Sequence, residues 1–196
     1  MLNAIAARRS IRSYKDKAIP RPLVDEIIKA GMLAPSSKNR QPWEFVVVTG
    51  ESKKEMLKVF QTGLEREKNA PLLPESARYL SGAEYTLSVM RQAPVVIFVI
   101  NPLGLGIDRP LTPEQRIYEI CNAQSIGAAV ENMALAATEL GLGSLWICDT
   151  YFAHRELCDW LRAGCELAAA IAIGYTEESP APRPRKRMDE TVEWRN

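Results

Sequence analysis

The residues with chemical reach in this chain sit in a few short clusters. Near one end, Arg8-Arg9-Ser10-Ile11-Arg12 places three guanidiniums and a hydroxyl within five residues. Arginine donates paired, charge-assisted hydrogen bonds that match the oxygens of a phosphate, so this spacing can form a phosphate cradle. A solvated charged turn is the plainer reading. A second basic cluster, Arg183-Pro184-Arg185-Lys186-Arg187, stands near the other end. Between them runs Ala34-Pro35-Ser36-Ser37-Lys38-Asn39-Arg40-Gln41-Pro42-Trp43. Its hydroxyls, amide and irregular backbone can hydrogen-bond the rim of a planar heterocycle, where donors and acceptors alternate. Locally, a helix stop followed by a turn is the favoured reading. The formal net charge is only +1. Two local basic patches on a nearly neutral chain suit a small anion better than nucleic acid or a membrane surface.

Other chemistries fit poorly. The cysteines are Cys121, Cys148, Cys158 and Cys165, with no C-x-x-C pair, and His154 is the only histidine. A four-ligand zinc site is therefore not expected, and no metal is assigned. One histidine without G-x-S-x-G argues against a serine hydrolase. Gly104-x-Gly106 followed by Asp108 is too short for a dinucleotide fingerprint. Cys148 could be a redox thiol, but a small buried residue is the commoner role for a cysteine at a strand end. No apolar run approaches the ~20 residues of a membrane-spanning helix. With no secretory signal, reduced and mostly buried thiols and a cytoplasmic location are expected. Met1 to Lys15 is rich in Arg and Ala and free of acids until Asp16, which also suits a mitochondrial transit peptide.

These clusters need elements to position them. Asn3 can cap a short helix through Ala7 that delivers Arg8 and Arg9. Leu23, Ile27, Ile28 and Met32 repeat at helical spacing and predict a helix from Leu23 to about Leu33. Trp43 to Thr49 reads as a strand and Ser52 to about Leu64 as a helix. Lys68 to Gly82 is irregular. Val95 to Ile100 is a fully buried strand, and Asn101 to Leu111 a loop rich in Gly and Pro. Thr112 and Pro113 predict the start of a long helix that runs to about Leu140 and ends at Gly141 and Gly143. Ser144 to Cys148 is a strand, His154 to about Ala163 a helix and Leu167 to Gly174 a strand. From Ser179 the tail is proline-rich and basic, then ends in the strand-forming Thr191-Val192-Glu193-Trp194. Nothing divides the 196 residues into two domains, and loosely alternating strands and helices give an α+β, three-layer architecture.

Taken together and in order, four segments resemble the FMN-dependent nitroreductase family. They are Arg8–Arg12, the P-S-S-x-N-x-Q-P-W-x-F-V-V-V stretch from Pro35 to Val48, the G-L-G-S-x-W-I stretch from Gly141 to Ile147, and the ending Ala172–Tyr175 with Pro180–Lys186. The resemblance covers nearly the whole chain. It implies one FMN-binding domain over 1–196, with a mixed or antiparallel central sheet flanked by helices. It also implies a homodimer that shares its FMN sites and exchanges the C-terminal tail, 179–196, with its partner.

By the same resemblance, Arg8, Ser10, Arg185 and Arg187 hold the phosphate and ribityl chain, with Lys186 the alternative to either tail arginine. Arg9 lines that wall. Arg12 lies near the pyrimidine side of the flavin, where its charge favours the anionic reduced form. Pro35, Ser36, Ser37 and Asn39 come from the other subunit and touch the ring. Cys148 and Asp149 fall where the family places a backbone N–H near flavin N5. Relatives commonly carry glycine in that turn, so Cys148-Asp149 departs from the pattern. The implied activity passes a hydride from NADH or NADPH through flavin N5 to a nitroaromatic, quinone or similar acceptor in a ping-pong cycle. No side chain is assigned a direct catalytic role. A dehalogenating, dehydrogenating or flavin-destroying enzyme on the same scaffold, and a non-enzymatic flavin binder, are the alternatives. The irregular stretch 63–85 is expected to act as a variable lid over the acceptor, with Tyr79, Leu80 and Tyr85 as contacts; a surface loop touching nothing is the other reading.

Overall fold

A computed structural model describes residues 3–162, 164 and 166–195. Among these, the strands are β1 (Glu44–Val48), β2 (Val95–Asn101), β3 (Gly143–Ile147) and β4 (Glu166–Gly174). They form one sheet in the order β1-β2-β4-β3, with every neighbouring pair antiparallel. The helices are α1 (Asn3–Ala7), α2 (Arg21–Met32), α3 (Gly50–Asn69), α4 (Leu80–Gln92), α5 (Pro113–Glu139) and α6 (His154–Leu161). The architecture is α+β, and the sheet is antiparallel rather than mixed.

Side-chain alternation along the strands explains the three layers. Val96 and Phe98 of β2 and Ala170 and Ala172 of β4 face one side, where Met56, Phe60 and Leu64 of α3, Leu87 and Met90 of α4, and Leu157 of α6 cover them. Val95, Ile97 and Val99 with Ala169, Ile171 and Ile173 face the other, under Val24 and Ile27 of α2 and Val130 and Met133 of α5. Both faces are covered, so β2 is apolar at every position before Asn101. Each fully buried large side chain contributes about 1.5–3 kcal/mol by leaving water. A bulge beside Val99 and Ile100 shifts the β2–β4 register and leaves Leu167 on the same face as Ala170. α2 and α5 approach closely at Gly31, where a Cβ would lie 2.8 Å from the Met133 side chain.

The first residues after α1 are stitched onto the far edge of this sheet. Ser10 bridges Ser144 of β3, and the Ile11 N–H donates to the Ser144 carbonyl at 2.9 Å. A Cβ on Gly143 would fall between 2.8 and 2.9 Å from Ile11 side-chain atoms, so glycine makes this contact possible. Tyr14 is buried and its hydroxyl donates to the Ile11 carbonyl at 2.8 Å. The Arg12 and Ser13 N–H groups both donate to the Glu178 carboxylate. The N-terminal motif, the G-L-G-S motif and the start of the tail thus form one structural corner.

The structure differs from the sequence expectation in the middle of the chain. α3 continues through Gly63 to Asn69, and α4 occupies Leu80–Gln92, so the irregular part is confined to 70–79 and includes a 3-10 turn at Pro74–Tyr79. Charged residues extend α3 by pairing: Arg66 binds Glu156 of α6 at 2.8 Å and also Glu67. In the tail no strand forms at Thr191–Trp194. The thiols also depart from expectation: Cys148 is exposed and Cys121 and Cys158 are half-buried. Cys165, and Ala163 at the expected end of the sixth helix, lie outside the described residues, as does Asn196.

Candidate functional site

The corner built by α1, Ser144 and Glu178 opens into a cleft of about 370 Å3. Arg8, Arg9, Ser10 and Arg12 line one side, and Pro180, Ala181, Pro182, Arg183 and Arg185 the other. Two basic clusters more than 160 residues apart therefore share one cleft (Arg12 and Glu178 are separated by 166). Arg9 donates to the Ala6 and Arg8 carbonyls at 2.7 Å, and Arg12 to the Ser10 carbonyl at 3.1 Å, which ties both guanidiniums to nearby backbone. Among the described residues, Arg8 alone of these five arginines has a carboxylate partner, Glu131 at 3.3 Å. Five guanidiniums, with the Glu131 and Glu178 carboxylates beside Arg8 and Arg12, form a donor set that fits a phosphate monoester. Arg187 is not in this lining; it pairs with Asp189 at 3.0 Å on the exposed tail. Lys186 is exposed and outside the lining too. Arg183 is the cleft residue that the sequence assignment left out.

The loop Pro35–Asn39 lies elsewhere in the same chain. The Ser37 N–H donates to the Ser125 hydroxyl of α5 at 3.3 Å, and Ser36 accepts from the Gln41 N–H at 2.9 Å. Lys38, Asn39 and Gln41 all hold left-handed backbone, with φ of 53°, 52° and 50°. Each such non-glycine residue costs roughly 1–2 kcal/mol, and runs of them gather at ligand-binding loops. Pro35, Lys38 and Asn39 are exposed, so the strained turn presents itself outward. None of these residues lines the arginine cleft.

A second cleft, about 470 Å3, lies at the end of β3. Cys148, Asp149, Tyr151 and Phe152 meet Leu73, Ser76, Arg78 and Tyr79 there. Asp149 accepts from the Thr86 hydroxyl of α4, which fixes the turn after β3 against the lid segment. Arg78 sits over the Tyr79 ring at 4.8 Å. Burial and then the Asp149 charge push the Cys148 thiol up, which disfavours a thiolate and with it a redox role. Tyr79 lines this cleft, whereas Leu80 packs against the core and Tyr85 is exposed on α4 outside the lining. In a single chain, then, the arginine cleft, the strained loop and the Cys148 cleft are three separate places.

The sequence model of the nitroreductase family matches residues 5–175, which spans Arg8–Arg12, Pro35–Val48, Gly141–Ile147 and the whole sheet. The chain belongs to the nitroreductase family. A protein of Methanothermobacter thermautotrophicus that bears an NADH dehydrogenase/NAD(P)H nitroreductase name is 35% identical to this family member over 189 residues, covering 93% of this chain and 81% of that one. An NADH dehydrogenase of Thermus thermophilus is 27% identical, over 98% of this chain and 94% of that one. Among solved structures, a BluB-like flavoprotein from Clostridium difficile 630 superposes with a TM-score of 0.77 at 26% identity, covering 99% and 98% of the two chains. A nitroreductase-type protein of Desulfovibrio desulfuricans, solved in complex with FMN, superposes at 0.67 with 27% identity, over 99% and 96%.

Proposed function

We propose that this nitroreductase-family protein is an FMN-dependent oxidoreductase that takes electrons from NADH or NADPH and passes them to a nitroaromatic, quinone or similar acceptor. The observation that carries the reading is the arginine cleft: Arg8, Arg9, Arg12, Arg183 and Arg185 around Ser10, with no carboxylate in its lining among the described residues. Arg8, Ser10, Arg183 and Arg185 would hold the FMN phosphate, and Arg9 would line the same wall. When bound, the flavin supplies the hydride-accepting and hydride-donating centre at N5. The protein's part is position and charge. Arg12 adds positive charge beside the ring, and the turn Cys148-Asp149, clamped by Thr86, offers backbone at the mouth of the acceptor cleft. Arg187, or Lys186 in its place, would have to turn inward from the exposed tail to join the residues at the phosphate.

The site is complete only in a homodimer. Pro35, Ser36, Ser37 and Asn39 would reach a flavin held by the partner's arginines, since the two sets do not meet within one chain. Leu33 is 82% exposed beside that loop, and Ile117, Tyr118 and Ile120 are exposed on α5. Apolar side chains gathered on a loop and a long helix are a surface that a second copy would cover. β1 pairs on one side only, so its other edge is open to an added segment. The tail 179–196 would pack across the partner; its residues 181–195 are exposed here, Val192 and Trp194 among them.

An absorbance spectrum of the purified protein, followed by anaerobic titration with each nicotinamide, tests this. Heat should release FMN, and NADH or NADPH should bleach the bound flavin until a quinone restores it. FAD, or no flavin after reconstitution, overturns the reading. FMN that no nicotinamide reduces would make the protein a flavin binder. Loss of the flavin itself during turnover would place it with the flavin-consuming enzymes on this scaffold.

A further inference from the structure

A third cleft, about 620 Å3, opens on the far side of the lid segment and contains the only histidine. His154 and Cys158 stand one turn apart on α6, on the same face. The Cys158 sulfur is 3.8 Å from both ring nitrogens of His154, and Nε2 of the ring meets Glu166 of β4 at 2.7 Å. Tyr151 stacks on the imidazole, nearly parallel to it, with centroids 5.8 Å apart. The ring is thus held from three sides: by a carboxylate, by an aromatic face and by its own helix. Burial alone would push His154 down, but its contacts with Cys158 and Glu166 outweigh that and raise it to about 9. The shift favours the imidazolium form of a ring that stands next to a sulfur. This is the arrangement that activates a nucleophile: the reacting atom, a charged ring beside it, and a third group fixing that ring.

Nothing in the flavin chemistry uses this cluster. Cys158 is half-buried, so a reagent reaches its sulfur through the cleft. The cleft walls carry both signs of charge, Arg109 and Arg155 with Asp108 and Asp159. Such walls match a small zwitterionic peptide better than an apolar or purely anionic molecule. Among the described residues, no group of three His, Cys, Asp or Glu side chains converges as a metal site.

The geometry points to Cys158 as a modification site that exchanges with low-molecular-weight peptide disulfides. The Cys158 thiolate attacks one sulfur of the disulfide, a new S–S bond forms at Cys158, and the old S–S bond breaks. The departing thiolate keeps the electron pair and takes a proton from solvent. The proton first lost from Cys158 also goes to solvent, so no further oxidant is needed. The His154 imidazolium stabilises the negative charge on the attacking sulfur, and Glu166 keeps the ring in place.

Oxidised glutathione serves as the probe, with the full chain and peptide mapping by mass spectrometry. Exposed Cys148 is the internal control. The adduct should form on Cys158 roughly tenfold faster than on Cys148, the gain expected of an electropositive surrounding. His154→Gln and Glu166→Gln should bring the ratio of the two rates towards one while leaving the Cys148 rate unchanged, which also reports that the fold is intact. Cys158→Ser should remove the fast adduct. Equal rates on Cys158 and Cys148 in the unaltered protein overturn the proposal, as does a Cys158 rate that His154→Gln leaves untouched. If a variant unfolds, all its thiols accelerate together and the ratio in the unaltered protein decides alone.

Discussion

Glu67 is the residue whose replacement should say most about the lid. Its side chain is 2% exposed. It accepts from the Leu72 N–H at 3.1 Å and the Leu73 N–H at 2.7 Å, and it pairs with Arg66. The carboxylate thereby ties 70–73 to the end of α3, and Leu73 lines both the Cys148 cleft and the His154 cleft. Glu67→Ala removes two hydrogen bonds to a charged acceptor, each contributing about 1.5–3 kcal/mol. Leu72 is exposed and Leu73 half-buried, so the freed N–H groups meet water and the low end applies. A loss of about 3 kcal/mol raises the local opening constant roughly a hundredfold. Arg66 keeps its bonds to Glu156 at 2.8 and 3.1 Å, so α3 and α6 stay joined. Glu67→Gln retains a carbonyl acceptor without the charge and should lose about half as much. Amide hydrogen exchange reads this directly. Leu72 and Leu73 should exchange far faster in Glu67→Ala, with β2 amides unchanged. Unaltered exchange at Leu72 and Leu73, or equal acceleration at Val96, would refute the tether.

Arg8→Ala should weaken FMN binding about 10- to 100-fold, the worth of a hydrogen bond to a charged group, as read by flavin fluorescence titration. Its solvent-screened pair with Glu131, half-buried on the Arg8 side, contributes only ~0–1 kcal/mol, so the melting temperature of the flavin-free protein should barely move. Gly143→Ala would drive a Cβ into Ile11; overpacking costs about 1–3 kcal/mol, and both melting temperature and FMN affinity should fall because Ser10 loses its register on Ser144. His154 sits at about 9 when folded against 6.5 unfolded. Its stabilising contribution is full below 6.5 and disappears as pH rises through about 9. Urea midpoints should therefore fall across that window in the unaltered protein and flatten in His154→Gln; parallel curves would count against the pairing with Glu166.

Several elements were legible because short-range physics decides them. The unbroken run Val95–Ile100 could only be a strand buried on both faces. Thr112, Pro113 and Gln115 start α5 through a capping box that closes in the structure as its spacing requires. α4 was not legible. Leu80, Ala83, Leu87 and Met90 do recur at helical spacing, but Gly82, Thr86 and Ser88 dilute the stripe. Thr86 is buried because it hydrogen-bonds Asp149, 63 residues away, and no local pattern carries that. The end of α3 was not legible either: Arg66 is satisfied by Glu156, 90 residues away, and Glu67 by the Leu72 and Leu73 N–H groups, while apolar periodicity counts both as solvent-facing. At the site, the arginine motifs were visible as types and spacing. Their meeting in one cleft, and the inclusion of Arg183 but not Arg187, depend on how the prolines of the tail turn. The His154–Glu166 pair joins a helix to a strand and leaves no trace in spacing.

The stitching of Arg12 and Ser13 to Glu178, and of Ser10 to Ser144, sets an order of events during synthesis. The basic motif leaves the ribosome first, yet every group that shapes its cleft is made near the end. Until Gly143 and Ser144 emerge, Ile11 has no shelf to lie on, and until Glu178 and Arg185 follow, the guanidiniums have nothing facing them. The early arginines must therefore wait, hydrated, while α2, α3, β1 and β2 are made without them. Flavin capture becomes a late step that only a nearly finished chain can take, so a chain cut short would be left colourless.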